Sequence, residues 1–133
     1  MIDCTNGVAG GTVFKLQTNG SGFVVLKSLS GINGSAPVAP VMEASDGNLY
    51  GTTYAGGISN AGTVFKLSPP AAGMDQWQET VLYRFAGGSD GRNPISALQM
   101  DAAGRLYGTT LYGGKGPCTD WEGFVVGCGT LSS

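Results

Sequence analysis

The sequence predicts an all-β chain made of β-propeller blades, each of four antiparallel strands, and three observations predict it. Gly11-Thr12-Val13-Phe14-Lys15-Leu16 returns unchanged 51 positions later as Gly62-Thr63-Val64-Phe65-Lys66-Leu67. Leu49-Tyr50-Gly51-Thr52-Thr53 returns after 57 positions as Leu106-Tyr107-Gly108-Thr109-Thr110, with Pro37 answered by Pro94 at the same spacing and Val25-Leu26 by Val81-Leu82 at 56. Apolar residues also stand at consecutive positions in Phe23-Val24-Val25-Leu26 and Val64-Phe65, so both strand faces are apolar, as in a sheet packed between neighbours. A period in the fifties built from short strands is the mark of a stacked-sheet array. A two-sheet sandwich is the competing architecture.

Each unit reads as four strands between Gly, Asn, Asp and Pro signals. The first type covers 11–16 and 62–67 and breaks off near 129–131; the second covers 23–29 and 79–85. The third covers 38–43 and 95–100, and the fourth 48–54 and 105–111. Asp46-Gly47 and Asp90-Gly91 are tight-turn dipeptides, because Gly takes a positive φ without a Cβ penalty. Residues 1–133 thus form a single repeat region: unit one at 4–60, unit two at 61–117, and a partial third at 118–133 that carries a Cys-containing loop. Cys4 and Cys118 are 114 positions apart, twice the period.

Two units and a fraction leave outer sheet faces and edge strands without partners. Either the chain is a fragment of a longer array, or several copies join head to tail into a ring, which removes every open face. The ring is the expected solution, with about two blades per chain and completion by homo-oligomerisation.

Composition narrows the function. Gly is 24 of 133 residues, well above the ordinary ~7%, but it falls between apolar runs and so marks turns. A net charge of -2 with 7 scattered basic residues gives no footprint for nucleic acid. No window approaches the ~18 apolar residues of a membrane span, and the N-terminus has no signal-peptide pattern. The absence of His removes Ser-His-Asp and Cys-His machinery, along with the usual nitrogen ligand for zinc or copper. No metal site and no cofactor are expected.

Cys118 and Cys128 bracket nine residues and read as a small disulfide loop, while Cys4 is left over as a free thiol or a link between protomers. Among the carboxylates, Asp3, Glu43, Asp46, Asp75, Glu79, Asp90, Asp101, Asp120 and Glu122, most stand in turn contexts. Ser45-Asp46-Gly47-Asn48 and Ser89-Asp90-Gly91-Arg92-Asn93 offer oxygen ligands, but too few for a dedicated calcium loop. Asp120, Trp121 and Glu122 set an aromatic between two acids in a long loop, and Trp77 stands in a hairpin loop longer than its repeat counterpart; these four are the candidate ligand contacts.

The words Gly-Thr-Val-Phe-Lys-Leu, Asp46 to Thr53 and Val81 to Gly91 resemble the tandem repeat of the bacterial GloVer family, Gly-rich repeats of exported or surface-anchored proteins, over nearly the whole chain. The resemblance implies a propeller-like array outside the cell, and it brings no catalytic residue with it. The expected function is a non-catalytic repeat module for extracellular binding or assembly, with a glycan or protein ligand and with self-association into a ring. The alternative is a small His-free hydrolase, glycosidase or esterase, with a carboxylate-based site at a protomer junction.

Overall fold

The computed structural model describes residues 10–115 and, beyond them, three short strand backbones at 118–119, 125–126 and 131–132. Those residues form small antiparallel sheets with one 3-10 turn, Gly31–Asn33, and no α-helix. Strands β1 (Thr12–Lys15) and β2 (Val24–Ser28) pair with each other. The central sheet follows chain order: β3 (Met42–Glu43), β4 (Leu49–Thr53), β5 (Thr63–Ser68) and β6 (Gln78–Arg84). In the C-terminal sheet β9 (Leu106–Tyr112) takes β7 (Arg92–Pro94) and β8 (Gln99–Met100) as partners, and β12 (Leu131–Ser132) as another. β10 (Cys118–Thr119) and β11 (Val125–Val126) form a separate pair.

The repeat of letters is a repeat of hydrogen-bond register. Phe14 opposes Val25 in the first pair and Phe65 opposes Val81 in the central sheet, with the same register shift just before the Phe in both. Met42 opposes Tyr50 as Gln99 opposes Tyr107, and the Ser35–Ala55 bridge returns as Arg92 opposite Tyr112. The β3–β4 and β8–β9 turns close alike: the Gly47 and Gly104 amides donate to the Ala44 and Asp101 carbonyls, with φ of 86° and 84°.

The third strand type is shorter than expected. The sequence pattern suggests strands over 38–43 and 95–100, yet only Met42–Glu43 and Gln99–Met100 pair there. Pro40 interrupts the first, since proline brings no amide to a ladder. The second pairs ahead of the expected stretch, with Arg92 and Pro94, the counterpart of Pro37, opposite Tyr112 and Thr110. The chain before each of the two related prolines turns through a left-handed residue, Ala36 at φ 57° and Asn93 at φ 59°. Asn93 offsets that conformation with an Nδ2 hydrogen bond to the Tyr54 carbonyl, 2.8 Å. Ala36 has no side chain to do so, and an L-residue there costs about 1–2 kcal/mol. Ala36→Gly is therefore expected to raise stability by up to about 1 kcal/mol, read as a higher denaturant midpoint at unchanged slope.

The core lies between the first pair and the central sheet. Val13, Leu26 and Leu29 form one buried cluster with Phe65 and Leu67, and Leu49 and Trp77 pack against it. At the same level Thr53 and Thr63 are fully buried, their hydroxyls 2.8 Å apart, and the Thr63 amide donates to Thr53 Oγ1. Satisfied in this way, the two threonines add directional bonds to an otherwise apolar layer.

Candidate functional site

Of the concave regions among the described residues, two bring candidate side chains together. Strand alternation puts Phe65 and Leu67 on the face of the central sheet that meets β1 and β2, and Val64 on the opposite face. On that opposite face, a groove of about 430 Å³ runs between the central and C-terminal sheets, lined by Val64, Leu82, Phe85, Leu98, Leu106 and Gly108. Tyr83 and Asp90 also border it. The Tyr83 hydroxyl donates to Asp90 Oδ2 at 2.7 Å, and the Ala86 amide donates to the same oxygen at 2.8 Å. Although slight burial works the other way, these donors hold the Asp90 carboxyl below its ordinary range.

The second depression, about 650 Å³, lies where the loop between β5 and β6 meets β2. Trp77 lines it with Pro69, Pro70, Asp75, Gln76 and Lys27. Trp77 is half-buried: part of its ring supports the core cluster and the rest faces the depression. An indole beside a carboxylate, an amide and an ammonium can stack on a sugar ring and hydrogen-bond its hydroxyls. Of the four expected contacts, Trp77 is thus placed in a concave surface, while Asp120, Trp121 and Glu122 lie outside the described residues. So does the Cys118–Cys128 pairing, because Cys128 is outside them and only the strand backbone is described at Cys118.

The acids in turns do what their local sequence suggests. Asp46 accepts from the amide and Nδ2 of Asn48, both at 2.9 Å. Asp101 accepts from the Arg105 and Ala103 amides, from Arg105 Nε at 2.7 Å and from the Tyr107 hydroxyl at 3.0 Å. The Arg105 amide leads these donors in holding the Asp101 carboxyl down, so it stays ionised in its turn. Among the described residues no group of three or more His, Cys, Asp or Glu is placed to hold a metal ion. No helix among them is long and apolar enough to cross a membrane.

Glu79 is the acid that sequence reasoning passed over. It sits on β6 opposite Leu67, and neither carboxylate oxygen has a hydrogen-bond partner among the described residues. Burial pushes its carboxyl up, against the attraction of Lys27 and Arg84. The sign follows directly: a carboxyl raised by folding favours the protonated form, so its contribution to stability is complete below the ordinary value near 4.5 and declines as pH rises through the raised one. Glu79→Gln is therefore expected to flatten the stability profile above about pH 4.5 and to leave the chain slightly more stable at neutral pH. Chemical denaturation between pH 4 and 8 reads this out, and an unchanged profile would contradict it. No short-range sequence signal identifies Glu79, because its environment comes from β2, some fifty residues away.

The family model that matches describes a Gloeobacter/Verrucomicrobia repeat and covers residues 4–120. Searches of curated proteins and of solved structures returned no match.

Proposed function

Since the chain belongs to the Gloeobacter/Verrucomicrobia repeat family, we propose that it is a non-catalytic repeat module of propeller type, which works by stacking its sheets face to face and presents loops to a ligand outside the cell. One observation carries this reading. The hexapeptide that is buried in β5 is open to solvent in β1: Phe65 and Leu67 are 0% exposed, whereas Phe14 and Leu16 are 52% and 49% exposed. Phe23 and Val25 lie beside Phe14 and are also exposed, so the first pair offers a continuous apolar face. Its counterpart in the central sheet is covered by a neighbouring sheet. An apolar face of this kind marks an association surface.

The Trp77 depression is the place for a glycan or protein ligand on such an assembly. The carboxylates at the two depressions support this reading over hydrolysis: Asp90 is held ionised by its own turn, as is Asp101 nearby in the chain. Glu79, whose value is raised as a general acid's must be, lines neither depression. Sedimentation equilibrium over a wide concentration range tests the proposal. A small integer multiple of 13.5 kDa supports it, and a well-folded monomer at every concentration contradicts it.

A further inference from the structure

This inference rests on the stacking proposed above and names the surface that receives the open face. β1 and β5 share six letters, the same register with the following strand and the same bulge, and they differ in what lies on their other edge. β5 is paired there with β4 over five residues, from Leu49 opposite Leu67 to Thr53 opposite Thr63. Among the described residues β1 has no strand on that edge. β9 is the register equivalent of β4, and where β4 has five residues paired to β5, β9 has two paired to β12. In register, β1 and β2 correspond to β5 and β6, the last two strands of the central sheet, and β8 and β9 correspond to β3 and β4, its first two, so the two groups are complementary.

The side chains agree with the backbone. β12 lies in the register of β5, with Leu131 opposite Thr109 as Val64 is opposite Thr52, and Ser132 opposite Gly108 as Phe65 is opposite Gly51. Phe65 lies against Gly51, where an added Cβ would come within 2.7 Å of its ring. The sequence has Ser at the matching position 132, and the groove of about 430 Å³ opens beside Gly108. The sequence thus supplies no Phe at the position of β12 that matches Phe65, while the matching Phe14 of β1 is exposed.

We propose that β1 of a second copy replaces β12 on the edge of β9, with its β2 alongside, and sets its Phe14 and Leu16 into the groove between the central and C-terminal sheets. The register follows from β4 and β5: Thr110 opposes the second copy's Thr12, Gly108 its Phe14, Tyr107 its Lys15 and Leu106 its Leu16. The completed four-stranded sheet stacks on the central sheet of each copy. It covers Val41 of the second copy, 40% exposed, with the β9 face that carries Leu111, also 40% exposed. The contact is heterologous, so it builds a closed ring or an open array.

The test mixes two single-site variants, Lys15→Cys and Tyr107→Cys, whose introduced thiols are directly opposed across the exchanged pair and within disulfide reach. Air oxidation of the mixture is expected to yield a two-chain product in which peptide mass spectrometry finds the two introduced cysteines joined, at least tenfold above a mixture of Lys15→Cys with Gly73→Cys. Deleting residues 131–133, which vacates the edge of β9, is expected to lower the concentration of half-association severalfold. Multimers without that cross-link whose association is still abolished by Phe14→Asp would overturn strand exchange while leaving stacking intact, and multimers unchanged by Phe14→Asp would overturn both. A monomer at all concentrations would overturn both.

Discussion

Phe65→Ala is expected to lower stability by about 3–5 kcal/mol, whereas Phe14→Ala, the same change in the same hexapeptide, costs less than about 1 kcal/mol. The difference lies in the neighbours, because the letters around the two residues are identical. Phe65 is fully buried among Val13, Leu26, Leu29 and Leu67, and removing its ring leaves a cavity beside Gly51 that a β-sheet cannot close by small shifts. Phe14 lies beside Phe23, at a centroid distance of 5.5 Å, and about half of it is exposed to water. Denaturant unfolding at a protein concentration low enough to keep the chain monomeric separates the two. Equal losses would mean that the hexapeptide is stabilised by its own sequence and not by what covers it.

Gly62→Ala is the second large effect, with an expected loss of at least about 2 kcal/mol. Gly62 has φ 101°, and a Cβ there would meet the Thr53 carbonyl oxygen and lie 2.7 Å from Cδ of Pro94. Neither obstacle is the end of a flexible side chain. The Gly62 amide also donates to the Gly56 carbonyl at 3.1 Å, so the backbone cannot swing away without losing that bond. Gly73→Ala is the control: φ is 81° with nothing near the added carbon, and only the conformational term of about 1 kcal/mol remains. If both substitutions cost the same in a thermal unfolding series, the close approach of Gly62 to the Thr53 backbone is not a real constraint.

Much of the fold was legible because repetition is visible in letters. The offsets of 51, 56 and 57 return as registers, down to the bulge before Phe14 and Phe65. The third strand type was overread because its apolar content outweighed its prolines, and because nothing near Ala36 announces a left-handed residue. Of the candidate site, Trp77 was findable as an aromatic in a long loop, but its double duty in core and depression depends on β2. Glu79 and the groove beside Gly108 were illegible for the same reason, since each is made by residues distant in sequence. The departure at β12 was legible in the letters: Gly129-Thr130-Leu131-Ser132 follows the hexapeptide for two residues, then has Leu for Val and Ser for Phe.

The central claim is that the open face of β1 and β2 is an association face, and the solution mass of Phe14→Asp beside that of the unsubstituted chain tests it most directly. With both proteins shown to be folded by circular dichroism, light scattering is expected to give a small integer multiple of 13.5 kDa for the unsubstituted chain and a single chain's mass for the variant. The same mass for both, whatever its value, would contradict the claim.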